Sequence, residues 1–291
     1  MTDFLQLVVA GTATGGCYAL AALGFTLLWQ ASGTINFALG EMVMLPAFFM
    51  LFGISMGLPL PLAFLLAMGV ALLALGWGFK RTIVDPMIGH GVIPLVIATL
   101  GLSIAIKNAT KGTASAQVFT LPGIFSEELL VIAGLRVSIA DIGTVVVAIL
   151  IVLALQRFLG GTLTGRAMQA VAQNRDAARV LGINADRMVL YAFLINAGLA
   201  AVAALLIAPV YLVKFDMGDT IGAKAFYAAI IGGFNNSRGA LLGGLIVGIM
   251  ENLVGAYISS GYKEGVALAL FLLVILFKPE GLLGRVEERK V

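Results

Sequence analysis

Long apolar stretches alternate with short polar intervals along the whole chain, and this pattern predicts a series of membrane helices. A helix needs about 20 predominantly apolar residues to cross a hydrocarbon layer about 30 Å thick. The stretches that reach or approach this length are residues 4–29, 42–56, 62–79, 92–106, 139–155, 188–213, 240–258 and 264–277. Residues 131–139 instead alternate between apolar and polar side chains, which fits a short strand or an interfacial loop. We therefore expect an all-α fold, a polytopic membrane helix bundle.

Two polar intervals that contain glycine break this pattern. The first covers residues 30–41, and the second carries two asparagines and an arginine at residues 235–238. Residues 223–233, just before the second break, are long enough for a short or half-membrane helix only. We expect broken or half-membrane segments near residues 30–41 and 223–239, and about eight or nine membrane segments in all.

An arginine-rich interval at residues 157–187 contains five arginines against two aspartates. Thr164 is placed to cap one short helix, and Asn174 to cap a second that runs through Arg179 and stops at Gly182. A short helix with arginines on its outside is too polar for hydrocarbon, so it is expected on a membrane face. A solvated loop is the other interpretation of this interval.

The composition supports the membrane assignment and limits the chemistry. Hydrophobic residues make up 60% of the chain and charged residues 11%, with a mean hydropathy of +1.06, whereas an ordinary soluble domain is about 25% charged. Membrane lipid is thus an expected partner, and the net charge of +3 does not indicate a nucleic-acid partner. Cys17 is the single cysteine, which excludes an intrachain disulfide, and the single histidine, His90, has no neighbours suited to a metal site.

The expected orientation follows from the lysines and arginines, which are enriched in cytoplasmic loops. We place residues 157–187 in the cytoplasm, together with Lys80, Arg81, Arg238 and the basic tail after residue 277. The N-terminus then lies outside. The basic residues left on the outer side are Lys107, Lys111, Arg136, Lys214, Lys224 and Lys263.

Three sequence blocks resemble the membrane permeases of branched-chain amino-acid ABC importers, in particular the H-type subunit of the Liv system. They are GTINFALGE at residues 33–41, GRAMQAVAQNRDAARVLGI at residues 165–183, and GGFNNSRGALLGG at residues 232–244 with FKPEGLLG at residues 277–284. The resemblance covers essentially the whole chain. Leu39 departs from the small or polar residue that many members carry there.

The resemblance implies a single transmembrane permease domain over residues 1–291, with a cytoplasmic coupling segment at residues 157–187, in a bacterial cytoplasmic (inner) membrane. It also implies a second homologous permease of different sequence, two cytoplasmic ATPase subunits and a periplasmic substrate-binding protein. ATP and Mg²⁺ would be used by the ATPase subunits, and this chain would bind no cofactor or metal itself. Substrate would move by ATP-driven alternating access.

The second block carries the residues expected to transmit motion from the ATPase. A short, stiff helix across the membrane face is a suitable lever between an ATPase and the spanning helices. Its arginines are available to pair with acidic groups of that partner, and Ala177, Ala178 and Leu181 to fill an apolar cleft there. The candidate coupling residues are Arg166, Asn174, Arg175, Asp176, Ala177, Ala178, Arg179, Leu181 and Gly182.

The two breaks supply candidates for the translocation pathway, because irregular backbone at membrane depth needs protein or water to satisfy it. Glu41 either lines the path or lies at the inner interface and interacts with the dipole of the next helix. The second break is either a pathway element or a site of close packing through small residues. The candidates are Asn36, Gly40, Glu41, Gly232, Gly233, Asn235, Asn236 and Gly239.

Other functions are open at this level. One is a related permease for urea or short amides, and another is a secondary transporter or channel with Glu41 and Glu251 as ion or proton ligands. For Glu251 and Asn252, hydrogen bonds inside the bundle or across a subunit interface are expected. An intramembrane enzyme is disfavoured, since the sequence has no paired intramembrane aspartates. It also lacks a glycine-rich loop ending in Gly-Lys-Ser/Thr for ATP.

Overall fold

The computed structural model describes residues 2–33, 35–87, 90–114, 117–132, 135–234 and 236–284. Over these residues the chain is mostly helical. The helices are α1 (Thr2–Ser32), α2 (Leu39–Ser55), α3 (Leu60–Val70), α4 (Asp85–Met87), α5 (Val92–Ala114), α6 (Ile139–Gly161), α7 (Leu163–Gln173), α8 (Arg175–Val180), α9 (Ala185–Tyr211), α10 (Met217–Gly232), α11 (Ser237–Tyr257) and α12 (Lys263–Phe277), and the strands are β1 (Leu129–Ile132) and β2 (Leu135–Ser138).

Seven helices in the described part of the chain are long and apolar enough to cross a membrane. They are Thr2–Ser32, Leu60–Met87, Val92–Ala114, Ile139–Gly161, Ala185–Tyr211, Ser237–Tyr257 and Ser260–Phe277. Two shorter helices accompany them, α2 with 17 residues and α10 with 16. The predicted all-α, multi-pass bundle is therefore confirmed, with about the expected number of segments.

Both predicted breaks are present, and both are shorter than expected. α1 continues to Ser32 and α2 begins at Leu39, which reduces the first break to the residues between them. Gly33 has a φ of +67°, which glycine adopts without strain. α10 begins at Met217 and ends at Gly232, so it is longer than the half-membrane helix that the sequence indicated.

The third predicted helix, residues 62–79, does not end before Lys80 and Arg81 as the hydrophobic pattern indicated, but continues to Met87. Wide, π-type turns at Ala71–Gly78 and Lys80–Val84 carry the helix on into α4. Lys80 is buried and its Nζ lies 2.7 Å from Oδ1 of Asp85. Because these opposite charges neutralise each other, the polar residues extend the helix instead of ending it.

The strand interpretation of residues 131–139 is confirmed. β1 and β2 pair antiparallel, with Leu129 opposite Ser138 and Ile132 opposite Leu135. The hairpin leads directly into α6, which begins at Ile139.

The chain forms two compact units. The first unit comprises Met1–Thr26, Phe125–Ile149 and Lys224–Val291, and the second comprises Leu27–Ile124 and Leu150–Ala223. In the first unit, α1 and α11 pack backbone to backbone. A Cβ added at Gly11 would lie 2.6 Å from Cα of Ile249, and one at Gly15 would lie 2.7 Å from the carbonyl oxygen of Gly244. Small residues allow this approach.

In the second unit, α2 packs against α3 and α9. One face of α2 is buried there through Met42, Val43, Met44, Ala47 and Met50. α9 contributes a face rich in buried alanines, namely Ala192, Ala197, Ala200, Ala201, Ala203, Ala204 and Ala208. The single permease domain implied by the sequence stays a prediction.

Candidate functional site

α7 folds back onto the end of α6 at the start of the arginine-rich segment. Its N-cap is Thr162, whose side chain accepts a hydrogen bond from the amide of Gly165 at 2.9 Å. The predicted cap, Thr164, lies inside the first turn instead, because the helix already starts at Leu163. A Cβ at Gly165 would overlap the carbonyl oxygen of Phe158, so glycine is needed for this close return.

α8 is the short helix predicted after Asn174, and both of its ends are confirmed. The side chain of Asn174 accepts hydrogen bonds from the amides of Asp176 and Ala177 at 3.1 and 2.9 Å. Gly182 has a φ of +81° and donates its amide to the carbonyl of Arg179 at 2.9 Å. These caps fix a helix that is too short to be stable alone.

One face of α8 is packed against the chain itself. Ala178 is buried in a cluster with Val171 of α7 and Ala185 of α9, and Ile183 and Met188 pack against that cluster. The expectation that Ala178 fills a partner's cleft was therefore wrong, because this side chain supports α8 from within the chain.

The opposite face of α8 presents apolar side chains outward. Val180 and Leu181 are 88% and 78% exposed, and Ala177 is exposed beside them. Leu181 and Ala177 were among the predicted coupling residues, whereas Val180 was missed. Helical spacing contained the signal, because positions three and four residues after Ala177 share its face.

The arginines of the segment form contacts within the chain. Arg175 Nη2 lies 2.7 Å from Asp186 Oδ1, and Arg179 Nη2 lies 3.8 Å from the same oxygen. Arg166 Nε donates to the carbonyl of Gly160 at 3.1 Å. Sequence reasoning assigned these arginines to a partner's acidic groups, but here two of them hold α8 to the start of α9.

The first break brings buried carboxamides to the beginning of α2. Asn36 is buried, and its Oδ1 accepts the amide of Ala38 at 3.0 Å. Nδ2 of Asn36 and Nδ2 of Asn196 lie 3.5 and 3.3 Å from Sδ of Met42. A thioether is a weak acceptor, so both amides donate to a poor partner. Asn196 was missed, although an asparagine inside an apolar stretch was the available signal.

The first turn of α2 lies beside the middle of its neighbours in the second unit. Asn196, which contacts Met42, is near the midpoint of α9 (Ala185–Tyr211). The amide of Phe37 donates at 3.2 Å to Oγ1 of Thr99, which is inside α5. The break therefore lies at the depth of the spanning helices, not at the inner interface where one interpretation placed Glu41.

Glu41 lies at the N-terminus of a helix and is buried. It lies in the first turn of α2 and is 2% exposed. The side chain of Ser103 in α5 and the ion pair of Lys107 with Asp219 are near enough to act on its carboxyl group electrostatically. Its position fits the helix-dipole interpretation and its depth fits the pathway interpretation, so the pathway role stays a prediction.

Gly40 allows α2 to cross α10 closely in the second unit. A Cβ at Gly40 would overlap the carbonyl oxygen of Gly218, and a Cβ at Gly222 would lie 3.0 Å from Cα of Gly40. Glycine at this position is therefore required by packing, whatever its part in the pathway.

The second break is a close turn between α10 and α11 in the first unit. Gly232 and Gly239 meet there, and a Cβ on either would overlap the carbonyl oxygen of the other. Asn236 caps α11 by accepting the amides of Arg238 and Gly239 at 2.9 and 3.3 Å. Asn235 lies outside the described residues. The close packing expected as one alternative is present, and the pathway role of this break stays a prediction.

The two halves of the third sequence block contact each other at this turn. The amides of Leu282 and Leu283 donate to the carbonyls of Ile231 and Gly232 at 2.8 and 3.0 Å. A Cβ on Gly233, which has a φ of +110°, would lie 2.6 Å from the backbone nitrogen of Gly284. The tail thus satisfies the carbonyl groups at the end of α10, which a helix terminus leaves unpaired.

Sequence reasoning missed a buried ion pair in the first unit. Lys224 Nζ lies 2.8 Å from Glu251 Oε1, and the two residues are 3% and 2% exposed. The Tyr18 hydroxyl donates to Glu251 Oε2 at 2.8 Å and accepts from Lys224 Nζ at 3.2 Å. Lys224 was expected on the outer side, and that placement was wrong because Glu251 balances its charge inside the bundle.

The described part of the chain contains no candidate metal site. No group of three or more His, Cys, Asp or Glu side chains there is arranged to hold a metal ion. The polar groups that the structure does assemble are carboxamides, a thioether, a carboxylate and ion pairs. These groups suit reversible binding and the control of helix positions.

Comparison with known proteins gives the family context. Residues 7–275 match the family described as "Branched-chain amino acid transport system / permease component". The high-affinity branched-chain amino acid transport system permease protein LivH of Escherichia coli K12 is 36% identical over 99% of this chain and 98% of that protein. The corresponding protein BraD of Pseudomonas aeruginosa is 35% identical, with the same coverage.

Two further matches are more distant. The autoinducer 2 import system permease protein LsrC of Yersinia enterocolitica is 27% identical over 82% of this chain and 62% of that protein. Among solved structures, PsaBC from Streptococcus pneumoniae in complex with Fab gives a TM-score of 0.51 at 16% identity, covering 95% of this chain and 92% of that one. At this identity the likeness concerns the fold alone.

Proposed function

Because the chain belongs to the family of permease components of branched-chain amino acid transport systems, we propose that it is a membrane-spanning subunit of an ABC importer for branched-chain or other hydrophobic amino acids. The chain is a multi-pass membrane protein and a component of a multi-subunit transport system. The proposed location is the bacterial cytoplasmic (inner) membrane. The choice of cargo is supported by relatives at 35% and 36% identity whose names specify branched-chain amino acids.

The proposed assembly contains a second homologous permease, two cytoplasmic ATPase subunits and a periplasmic substrate-binding protein. In this assembly the ATPase subunits bind ATP and Mg²⁺, and this chain is a transport subunit without an ATPase site. Movement of substrate is by alternating access, in which ATP-driven closure of the ATPases moves the spanning helices.

The exposed apolar edge of α8, formed by Ala177, Val180 and Leu181, is the observation that supports coupling most directly. Ala178 supports this edge from within the chain, and ion pairs from Arg175 and Arg179 to Asp186 fix the helix. A displacement of such a helix is transmitted to α9, because α8 cannot move relative to α9 without breaking those contacts. Apolar side chains on a fixed support are suited to bind a cleft on the ATPase.

The pathway that we propose in the second unit passes the first turn of α2. Asn36 and Asn196 offer amide donors whose present acceptor, the sulfur of Met42, is weak, and Glu41 directly precedes Met42 in the sequence. A zwitterionic amino acid has a carboxylate for the amides and an ammonium group for the carboxylate. The irregular backbone before α2 is typical of helices broken at substrate sites.

The function is tested by reconstituting this chain with the second permease, the ATPases and the binding protein in proteoliposomes. We expect ATP-dependent uptake of radiolabelled leucine, isoleucine or valine, and loss of uptake when the ATPases are omitted or a non-hydrolysable ATP analogue is used. Excess unlabelled urea serves as the control competitor and should leave the uptake unchanged. Uptake by this chain alone, driven by an ion gradient, would overturn the proposal in favour of a secondary transporter.

A further inference from the structure

The Tyr18–Lys224–Glu251 network joins three helices of the first unit. Tyr18 comes from α1, Lys224 from α10 and Glu251 from α11, and the oxygen and nitrogen atoms of the three side chains lie within 2.8 to 3.2 Å of one another. Ionic groups inside a membrane protein are costly and are retained where they pair or serve a function. Neither the coupling helix nor the proposed pathway makes use of this network.

α10 needs an anchor because of its length. With 16 residues and a rise of about 1.5 Å per residue it spans about 24 Å, which is less than the roughly 30 Å of hydrocarbon. A helix that falls short of the hydrocarbon thickness is accommodated by thinning of the bilayer, by snorkelling of flanking residues or by packing against other helices. Contacts inside the protein therefore contribute to the height of α10.

The tail hydrogen bonds to Ile231 and Gly232 act only at the last turn of α10, and its helix-to-helix contacts in the first unit are close but weakly directional. A Cβ at Gly243 of α11 would overlap the carbonyl oxygen of Ala228, and Phe226 packs edge-on against Phe25 with ring centroids 5.3 Å apart. Small residues and aromatic rings hold helices together, and they also pack at slightly shifted positions. A hydrogen-bonded ion pair has one favourable geometry, which is why polar groups inside a helix interface can specify register.

We propose that the Tyr18–Lys224–Glu251 network fixes the position of α10 along α1 and α11, and that transport depends on this position and not on the charges themselves. A shift of α10 by one residue, about 1.5 Å, would move the carbonyls of Ile231 and Gly232 away from the tail amides that they bind. The three residues are positioning residues. Their part in transport rests on the proposed importer function, whereas their part in the position of α10 does not.

Substitutions in a buried ion pair can separate the effect of helix position on transport from the effect of the charges. Removing one partner leaves the other charge without its counter-ion in a low-dielectric environment. Replacing both partners by neutral residues that hydrogen-bond to each other removes the charges and keeps a directional contact. If the charges themselves carried a proton or ion, the doubly neutral variant would be as inactive as the single ones. The double-mutant cycle therefore distinguishes the two roles.

The test uses Lys224→Gln, Glu251→Gln and the double variant in the full importer, because two neutral amides can hydrogen-bond to each other without charge. We expect each single change to lower the maximal rate of ATP-dependent uptake by about 10-fold or more, with KM for uptake unchanged, and the double variant to recover to within about threefold. Lys214→Gln is the matched control, because it breaks the exposed pair of Lys214 with Asp216 (Nζ to Oδ1 3.4 Å), and exposed pairs contribute little.

A second measurement reports the position of α10 without transport. The rings of Tyr227 on α10 and Phe271 on α12 have centroids 4.9 Å apart. In a Cys17→Ala background, Tyr227→Cys and Phe271→Cys are treated with a short bifunctional thiol reagent in membranes. We expect efficient crosslinking with native Lys224 and Glu251, a clear loss of crosslinking in either single variant, and recovery in the double variant.

Two outcomes would overturn the proposal. One is a double variant that crosslinks normally and assembles but does not transport, since the charges would then be needed for themselves. The other is single variants that crosslink like the native protein. Failure of the native importer to take up amino acids would refute the proposed function, while the crosslinking series would still decide the role of the network in positioning α10.

Discussion

The exposed edge of α8 allows the coupling role to be tested quantitatively. Leu181 is 78% exposed and makes little contact with its own chain. Burying a leucine side chain in a partner's cleft is worth about 0.8 kcal/mol for each CH₂ group, so Leu181→Ala should weaken ATPase binding by about 2 kcal/mol. That corresponds to an affinity loss of about 30-fold.

The assay measures binding of the purified ATPase subunit to the permease in nanodiscs, together with uptake by the reconstituted importer. Leu181→Ala should leave the thermal unfolding of the permease unchanged, because the residue is not part of its core. Leu276→Ala is the matched control. Leu276 is 76% exposed and lies in the last turn of α12, outside the proposed coupling segment, so its removal should not alter binding.

A specific result would refute this reasoning. If Leu181→Ala and Val180→Ala both bind the ATPase within about twofold of the native protein and transport normally, α8 is not the contact. The arginine-rich segment would then be interpreted again as a solvated segment without a coupling role.

The remaining predictions concern the coupling helix and the first break. Ala178→Pro removes the hydrogen bond from the amide of Ala178 to the carbonyl of Asn174 (3.0 Å). It should destabilise α8 by about 3 kcal/mol and abolish uptake. Membrane insertion, measured by fractionation, should stay normal. Normal uptake would contradict the role of α8 as a lever between the ATPase and the spanning helices. Gly40→Ala should sharply lower the melting temperature or the yield, because the new Cβ overlaps Gly218, whereas Gly69→Ala, with open space around it, should be neutral. Glu41→Gln should reduce stability by only about 0.3–1 kcal/mol if the carboxylate acts through the helix dipole. Loss of uptake in a stable variant with intact ATPase activity would instead assign Glu41 to the pathway.

The sequence by itself determined the class of the fold and the local structure of the coupling segment. Hydrophobic stretches of membrane length can be satisfied only by helices, so the bundle followed from the pattern. Asn174 and Gly182 marked the ends of α8 correctly, because side-chain caps and left-handed glycines act within a few residues of the chain. Local alternation at residues 131–139 left a short strand and an interfacial loop open, and pairing with Leu129 and Leu130 decided for strands.

Properties that depend on residues far apart in sequence were not predictable in this way. Lys224 was left on the outer side once the other lysines and arginines had been assigned to the cytoplasm, and its true position depends on Glu251 and Tyr18, which come from other helices. The end of the third helix was missed for a local reason, because Asp85 in the same helix neutralises Lys80.

The orientation of α8 also depended on tertiary contacts and not on the local sequence. Nothing in the sequence distinguishes Ala177 from Ala178, because both are small and apolar. Only the packing of Val171 and Ala185 against Ala178 decided which alanine is buried and which faces outward. Local chemistry therefore set where the helices of this protein begin and end, and tertiary packing set their depth, their partners and the side chains that they expose.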